Sequence, residues 1–572
     1  MTTTRRRGTA LVSLTAATGL LLGTAALGTG PATSAEPAGD CTPAFPVSEL
    51  AEGDAVSGLT VTRGTTPESF TGEVIGVYDD GIGPDLDMVM VRVDMPEVDK
   101  AGIWQGMSGS PVYAADGRLI GAVAYGLAFG PSPVAGVTPF ADMDDYLAEP
   151  PAAKVPVGRK LAASIARSTD VTPAQAAQGL RQLPMPVGVS GVSAQRVAGT
   201  EERPYFPKGA RAVAGGSAAA AGPETIVPGG NMAASLSYGD VTQAGVGTAT
   251  SVCNGRVVGF GHPMSFEGET TMSLHPASAL YVQEDPVGPG FKVANLGAPV
   301  GTVSEDHLTG ITGFLGRLPR ATTIANTATY DGRTRTGTSK NTVDSAAAST
   351  TYYQVIANHD RVVDAIMPGS ETMSWKITGT DTDGSAFSLS FSDRYASEYD
   401  ITGDAGYELA DLVYALSQID GVELDSVTSQ SVVSDDSDTY RVRSIQQRRG
   451  GEWVTLGKGE RAEARAGGKL VLRAALSGPE GTTYVPVTMR VPASAQGMKG
   501  QVSVEGGGWL WTGGTINSVA KAERVVAGMV RNDALQANLS LVKRRKEVEK
   551  SKVTGPTDRV VYGAKRVRVV VR

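Results

Sequence analysis

The chain of 572 residues is too long for a single hydrophobic core, so several domains are expected. Its 41% hydrophobic and 19% charged residues exclude a disordered protein, and 72 glycines beside only 6% aromatic residues favour short strands and tight turns over long helices. The formal net charge of -8 argues against nucleic acid as the main partner.

Residues 1–35 have the three parts of an export signal. The basic run Arg5–Arg7 precedes the apolar stretch Ala10–Leu27, and Thr33–Ala35 supplies the small residues that predict cleavage after Ala35. A transmembrane anchor is the alternative, but the Gly- and Ala-rich stretch with its small-residue exit favours a cleaved signal peptide. We therefore expect a protein that is secreted or associated with the cell envelope once this segment is removed.

The chain has two cysteines, Cys41 and Cys253. In an exported protein such a pair suits a single disulfide. Their spacing is not of the kind that binds a metal, and nothing in the sequence calls for an organic cofactor. We expect no cofactor.

Short β-rich runs separated by turns extend from Leu59 to Tyr146. A mixed segment follows, and strand patterning resumes at Ala233–Leu236 and persists past Gly313. From Ala321 to about Gly506, polar and β-branched residues alternate, which predicts one or two β-sandwich modules. A helix at Ala405–Ile419 is expected to interrupt them.

The C-terminal part is expected to contain a helix at Ile516–Val530. After it, Lys543–Arg572 holds 11 basic and 3 acidic residues. The simplest interpretation is a solvated basic end. Contact of the C-terminal modules with an anionic polymer of the cell envelope is the alternative.

Ser108 is the candidate nucleophile, in the segment Gly106-Met107-Ser108-Gly109-Ser110-Pro111. A catalytic serine needs an exposed Oγ on a tight turn, backbone N–H groups for the oxyanion and a base within hydrogen-bond reach. Gly106 and Gly109 permit backbone conformations that other residues resist, so the N–H groups of Gly106 and Ser108 are candidates for the oxyanion site. An ordinary Gly/Ser turn is the alternative.

The base has to come from four histidines. His262 ends an apolar strand in Val257-Val258-Gly259-Phe260-Gly261-His262-Pro263, a suitable place for a general base. His275 lies in a less regular segment, and polar neighbours predict that His307 and His359 are solvated. A lone histidine often has only a structural role, and this remains the alternative for His262.

The acid that would orient the imidazole is left open between two residues. Asp94 closes the predicted strand Met88–Val93 and precedes Ser108 by 14 residues, whereas Asp306 follows His262. An acidic residue at a strand end often serves as a turn former. Spacing alone does not choose between the two.

At these residues the chain resembles the peptidase family of the stage IV sporulation protein B. The similar stretches are Glu73-Val74-Ile75-Gly76-Val77, Gly102-Ile103-Trp104-Gln105, the block around Ser108, Gly117-Arg118-Leu119-Ile120-Gly121, Gly247-Thr248-Ala249-Thr250, Gly261-His262-Pro263 and Gly310-Ile311-Thr312-Gly313. Two departures stand out. The Ser and His segments are in the reverse order, as in a circular permutation, and no PDZ domain is found.

The resemblance implies a mainly β, chymotrypsin-like double β-barrel with a cleft between the barrels. It also implies Ser108 as nucleophile, His262 as general base and Asp94 as the acid. The expected organisation is a signal peptide (1–35), a Ser-bearing barrel half (41–150), a connecting segment (151–235), a His-bearing barrel half (236–320), a β-sandwich-like region (321–506) and a C-terminal helix with a basic tail (507–572).

The expected function is that of an exported serine endopeptidase acting on a protein or peptide substrate. Two rivals stay open. One is a catalytically inactive, peptidase-like scaffold or binding protein of the envelope. The other is a peptidase limited to processing itself or one dedicated partner.

Overall fold

Strands dominate the chain, which confirms the prediction of a mainly β protein. The computed structural model has 50% of its residues in strands and 17% in helices, and it contains two closed, six-stranded antiparallel β-barrels. It describes residues 42–128, 130–143, 157–183, 187–200, 203–213, 221–285, 288–509 and 515–572. The predicted signal peptide and Cys41 lie outside these ranges.

The first barrel carries Ser108. Its elements are β1 (Ala55–Thr60), β2 (Glu68–Gly83), β3 (Leu86–Asp94), α1 (Pro96–Ala101), β4 (Pro111–Ala114), β5 (Leu119–Leu127) and β6 (Val134–Pro139). The strands pair in the order β4-β1-β2-β3-β6-β5, and the pairing of β4 with β5 closes the ring. Aliphatic side chains such as Val56, Val74, Val91 and Val123 fill its interior.

The connecting segment consists of short elements attached to both barrels. They are α2 (Arg159–Ser168), α3 (Pro173–Ala176), β7 (Leu180–Gln182), β8 (Gly188–Ser190), α4 (Ala194–Ala198) and β9 (Arg211–Ala212). Strand β7 pairs with β5 of the first barrel, whereas β8 pairs with a strand of the second barrel.

The second barrel carries His262 and closes in the same way. Its strands are β10 (Asn231–Gly239), β11 (Thr242–Cys253), β12 (Arg256–Gly259), β13 (Gly268–Gln283), β14 (Phe291–Leu296), β15 (Gly301–His307) and β16 (Gly310–Leu315). Six of them form the ring β10-β13-β15-β16-β12-β11, closed by the pairing of β10 with β11. Strand β14 pairs with β13 outside this ring.

The next region extends the sheet of the second barrel and is covered by helices. Its elements are β17 (Thr322–Tyr330), β18 (Arg333–Asn341), α5 (Ala347–Val362), β19 (Gly369–Thr380), β20 (Ala386–Ser397), α6 (Ile401–Ser417) and β21 (Glu423–Ser434). Strand β18 pairs with β10, and both helices share a core with the added strands. This differs from the β-sandwich predicted to begin at residue 321, because helices and not a second sheet cover these strands.

Helix α6 confirms the predicted helix at Ala405–Ile419, whereas α5 was not predicted. The first half of α5 is rich in Ser, Thr and Tyr, which have modest helix propensity. Nearly all of its residues are buried. Tertiary packing therefore outweighs local preference in this helix.

A β-sandwich follows from Tyr440 to the end of the chain. This segment contains β22 (Tyr440–Arg449), β23 (Glu452–Thr455), β24 (Arg461–Ala464), β25 (Lys469–Gly478), β26 (Gly481–Arg490), β27 (Lys499–Gly506), α7 (Val519–Gly528), β28 (Leu535–Lys543), β29 (Lys546–Val553), β30 (Val561–Tyr562) and β31 (Ala564–Val571). Helix α7 packs against the core of the preceding region, in which its buried residues Val519, Ala522 and Val526 take part. The strands form two five-stranded sheets that share one hydrophobic core. Helix α7 confirms the helix predicted at Ile516–Val530.

The basic tail is an integral part of this sandwich. In β31, Val567 and Val569 are buried, while Arg566 and Arg568, which alternate with them, are exposed. Successive side chains of a strand point to opposite faces, so the same segment supplies core residues on one face and solvated charges on the other.

One further sequence prediction concerns the cysteines. Cys253, the last residue of β11, is disulfide-bonded, while its predicted partner Cys41 lies outside the described residues. Within the described part of the chain, no helix is both long and apolar enough to span a bilayer.

Candidate active site

Ser108 lies in the loop between α1 and β4, and this loop depends on glycine. Gly106 and Gly109 both adopt φ 94°, in the left-handed region that favours glycine. A Cβ on Gly109 would lie 1.8 Å from the carbonyl oxygen of Thr248. The close approach of a strand from the second barrel therefore requires glycine directly after Ser108.

Residues of β11 hold the Ser108 loop from the second barrel. The N–H of Thr248 donates to the Ser108 carbonyl at 2.8 Å. The Thr248 hydroxyl donates to the Gly106 carbonyl at 3.1 Å, and the Thr250 hydroxyl donates to the Gly109 carbonyl at 2.7 Å. Three loop carbonyls are thus bound by two threonines that are far away in sequence.

His262 follows β12 on a turn of two left-handed residues. Phe260 has φ 69° and Gly261 has φ 70°, and the Phe260 side chain is buried in the second barrel. The hydroxyl of Thr138, in β6 of the first barrel, donates to the Gly261 carbonyl at 2.6 Å. Each barrel therefore anchors the loop that carries the other barrel's candidate catalytic residue.

The two loops bring Ser108 and His262 together across 154 residues of sequence. The Oγ of Ser108 lies 2.8 Å from Nε2 of His262. His262 is 0% exposed and Ser108 is 1% exposed. Burial lowers the pKa of His262 to about 4, because desolvation disfavours the imidazolium form. The ring is therefore neutral near pH 7.

A backbone carbonyl sets the tautomer of the His262 ring. Nδ1 lies 2.7 Å from the carbonyl oxygen of Pro263. A carbonyl only accepts hydrogen bonds, so Nδ1 carries the proton in this contact. Nε2 is then the acceptor for the hydroxyl of Ser108, which is the arrangement a general base needs.

The structure does not bring Asp94 to this pair. Asp94 is exposed at the end of β3, opposite Thr71 in the ladder with β2, and forms no hydrogen bond with His262 within the described residues. The orienting contact found at Nδ1 is the carbonyl of the next residue, and a backbone carbonyl leaves no side-chain signature in a sequence.

Asp306, the other candidate acid, holds the segment that follows His262. Its buried carboxylate accepts from the N–H groups of Met264 at 2.7 Å, Ser265 at 2.8 Å and Glu267 at 3.3 Å. Burial raises the pKa of Asp306, opposed by these backbone donors. Asp306 thus acts on His262 through the backbone of this segment.

The predicted oxyanion donors have no protein acceptor among the described residues. Two neighbouring N–H groups of the loop are already hydrogen-bonded within the protein. The N–H of Gly109 donates to the Val123 carbonyl, and the N–H of Ser110 donates to the Met107 carbonyl. The N–H groups of Gly106 and Ser108 donate to no described group. They are therefore available to a negative charge that develops beside Ser108.

The remaining histidines have structural contacts. His275 lies 2.8 Å from the Ser235 hydroxyl in the second barrel, and His307 pairs with Glu305 at 2.8 Å. The prediction that His359 is solvated is wrong: it is 0% exposed in α5 and pairs with Glu371 at 2.9 Å. Its polar sequence neighbours hid the fact that this helix is covered by the sheet and by α6.

Sequence reasoning missed Thr248 and Lys292, which both lie against the Ser108 loop. The main-chain N–H of Lys292 donates to the Gln105 carbonyl at 2.8 Å, and its Nζ donates to Oδ1 of Asn231 at 2.7 Å. Thr248 stands in one of the stretches that carry the family resemblance, but the sequence assigned it no role, and Lys292 belongs to none of those stretches. Only the fold brings them to the site.

Comparison of the chain with protein-family models finds no match, and comparisons with curated proteins and with solved structures find none either.

Proposed function

We propose that the protein is a serine endopeptidase that uses Ser108 as nucleophile and His262 as general base. The observation that carries this proposal is the 2.8 Å contact between Ser108 Oγ and His262 Nε2, made by two glycine-dependent loops from different barrels. A hydroxyl and a neutral imidazole in hydrogen-bond contact are the minimum requirement for nucleophilic acyl transfer.

In the first half-reaction, Ser108 Oγ attacks the scissile carbonyl carbon while its proton passes to Nε2 of His262. The N–H groups of Gly106 and Ser108 stabilise the oxyanion that forms. The tetrahedral intermediate then collapses, the C–N bond breaks and His262 returns the proton to the leaving amine. The product is an acyl ester on Ser108.

In the second half-reaction, His262 takes a proton from water as the water oxygen attacks the ester carbonyl. The ester C–O bond breaks and the proton returns to Ser108 Oγ. The Pro263 carbonyl holds the Nδ1 proton throughout. It keeps the ring in one tautomer, which is the orienting part of the task that an aspartate performs in a Ser-His-Asp triad.

The resemblance to the stage IV sporulation protein B peptidases supports this proposal, since Ser108 and His262 stand in its two matching motifs. We further propose that residues 1–35 direct export, so that the enzyme acts outside the cell or in the envelope. The C-terminal sandwich, with exposed basic residues along β31, would contact the envelope or a partner.

The burial of Ser108 favours a second candidate function, that of a peptidase restricted to itself or to one partner. Ser108 is 1% exposed, so a peptide in solution cannot reach this nucleophile without restriction. A substrate has to enter through a cavity whose lining includes Gln105 and Gly106, or residues that cover the pair have to move. The same burial is what a scaffold without catalysis would show.

Hydrolysis by the full chain separates these functions. Wild-type protein, Ser108→Ala and the matched control Ser110→Ala are incubated with a quenched-fluorescent peptide library and are also analysed for internal cuts by mass spectrometry. Ser110 is buried in the same loop but bonds Thr60 and not a histidine.

The proposal predicts cleavage by wild type and Ser110→Ala that falls at least about 10³-fold in Ser108→Ala. Internal cuts without library cleavage, lost in Ser108→Ala, would identify the restricted peptidase. Folded wild-type protein that behaves like Ser108→Ala in both assays would identify the scaffold and overturn the proposal.

A further inference from the structure

A cavity of about 970 Å³ lies beside the loop that holds Ser108. Gln105 and Gly106 belong to its lining, together with residues of β14 that include Lys292. A Cβ built on Gly106 would lie 2.8 Å from the Cβ of Lys292, so the strand and the loop are in direct contact. The cavity therefore reaches the residue whose N–H would stabilise the oxyanion.

The side chain of Lys292 is buried in this lining and pairs with no carboxylate among the described residues. It is 8% exposed, and its Nζ donates to the neutral amide of Asn231. Burial lowers the pKa of Lys292 to about 7, because a desolvated ammonium group lacks compensation. Buried charges in proteins are normally paired, and an anion in the cavity would supply the missing partner.

The other charges of the lining also favour an anion. Arg211 and Arg361 line the cavity and form no ion pair with a described residue. Among the described lining residues the carboxylate is that of Asp240, which is already paired with Arg335 at 2.8 Å. Burial lowers the pKa of His275, so this ring adds no charge at neutral pH. The lining thus carries positive charge that its own acid does not neutralise.

We infer that this cavity is a substrate subsite for a carboxylate, with Lys292 as the specificity-determining residue and Arg211 and Arg361 as supporting cations. The carboxylate comes from an Asp or Glu side chain near the scissile bond or from the C-terminus of a peptide. The role of the cavity as a substrate subsite rests on the proposed peptidase function, whereas its ability to bind an anion does not. Charge-assisted hydrogen bonds make a carboxylate the preferred group over its neutral amide.

Binding to the catalytically disabled Ser108→Ala chain tests this inference without hydrolysis. Fluorescein-labelled hexapeptides of Val and Ala are compared by fluorescence polarisation in three forms: with one internal glutamate and an amidated end, with glutamine and an amidated end, and with glutamine and a free C-terminal carboxylate. The inference predicts that at least one carboxylate form binds about tenfold or more tightly than the neutral peptide. Which form does so identifies the source of the carboxylate.

Adding Lys292→Met should abolish this preference. The matched control is Lys340→Met, because the Nζ of Lys340 also donates to a neutral oxygen, that of Thr323 at 2.7 Å, and Lys340 is not part of the cavity lining. Arg211→Ala, a change at an exposed residue, should reduce the preference by a smaller factor and keeps the test informative if Lys292→Met does not fold.

Equal binding of all three peptides by the folded chain would overturn the inference, as would a carboxylate preference that survives both Lys292→Met and Arg211→Ala. These results are independent of the proposed function. A carboxylate preference in a protein that never hydrolyses a peptide would keep the anion site and sink the peptidase, and hydrolysis without such a preference would do the reverse.

Discussion

Two buried Ser–His pairs occur in the part of the chain that the structure describes, and their hydrogen bonds have the same length. Ser108 lies 2.8 Å from His262, and Ser235 lies 2.8 Å from His275. All four residues are buried, and in both pairs Nδ1 of the ring contacts a backbone carbonyl. Burial lowers the pKa of both histidines.

The backbone around the serine is what distinguishes them. Ser235 lies inside β10, opposite Ala244 on one side and Ser273 on the other. Its main chain belongs to a ladder on both edges and offers no N–H to an oxyanion. Ser108 lies in a loop whose glycine conformations leave two N–H groups available. A Ser–His hydrogen bond is therefore insufficient to identify a nucleophile, and the neighbouring backbone donors decide.

The largest expected contrast between the pairs is in covalent reaction with a fluorophosphonate probe. His262→Ala should lower the rate of labelling at least about 10³-fold, because the hydroxyl loses its base. His275→Ala should leave the rate per folded molecule within about twofold, while the orphaned Ser235 hydroxyl lowers the free energy of unfolding. Circular dichroism and labelling time courses measure both. A large loss in His275→Ala with the fold intact would contradict the comparison.

The next contrast is between the two carboxylates considered as the acid. Asp306→Ala should slow labelling about 10- to 100-fold, since three backbone donors behind His262 lose their acceptor. Asp306→Asn keeps one acceptor oxygen and should recover part of the rate. Asp94→Ala is the control, and it should change the rate less than twofold. If Asp94→Ala proved the more damaging change, Asp94 and not Asp306 would be the residue that supports His262.

A smaller effect is expected from the threonine that anchors the Ser108 loop. Thr250→Val removes the 2.7 Å hydrogen bond to the Gly109 carbonyl at nearly constant shape. It should lower the free energy of unfolding by about 1 kcal/mol and labelling a few-fold. Chemical denaturation and the labelling rate measure these effects. An unchanged rate would show that the loop keeps its geometry without this anchor.

The smallest expected effect is that of pH between 7 and 5. Because the pKa of His262 is lowered to about 4, the ring stays neutral and labelling should fall less than twofold. Labelling that depended on a histidine at its ordinary pKa of about 6.5 would fall about 25-fold over the same interval. An observed midpoint near 6.5 would contradict the buried, neutral base.

The same shift has a consequence for stability. The unfolded chain takes up a proton at the ordinary histidine pKa, whereas folded His262 does so only near pH 4. The unfolded state binds more protons in this window, so the contribution of His262 to stability is complete above pH 6.5 and is lost as pH falls towards 4. Thermal unfolding at pH 7 and pH 5 measures the trend.

The pairing of Ser108 with His262 could be predicted because glycine-rich turns and the scarcity of histidines made both residues candidates, and the family resemblance implied them as a pair. The group that orients the His262 ring could not be predicted, because it is the backbone carbonyl of Pro263 and every residue type has a backbone carbonyl. The contacts of Lys292 and Thr248 with the Ser108 loop could not be predicted either, because ordinary strand residues acquire such a role only when the two barrels pack together. His359 shows the opposite error, in which polar neighbours suggested solvent where the helix is buried.

For the fold as well, the sequence predicted what local patterns determine and did not predict what depends on tertiary pairing. The periodicity of the sequence predicted the alternating strands and the helix around Ala405–Ile419. It did not predict where the sandwich begins, because β18 pairs with β10 and residues 322–434 therefore join the sheet of the second barrel. Strand alternation is the same whichever sheet a strand joins.

We propose Ser108, and not the equally buried Ser235, as the nucleophile, and peptide mapping of a covalent adduct tests this proposal most directly. The full chain is treated with a fluorophosphonate, digested and sequenced by mass spectrometry to locate the adduct. We predict a single adduct on Ser108, absent from Ser108→Ala and retained in Ser235→Ala. An adduct on Ser235, or no adduct on a folded protein, would contradict the account.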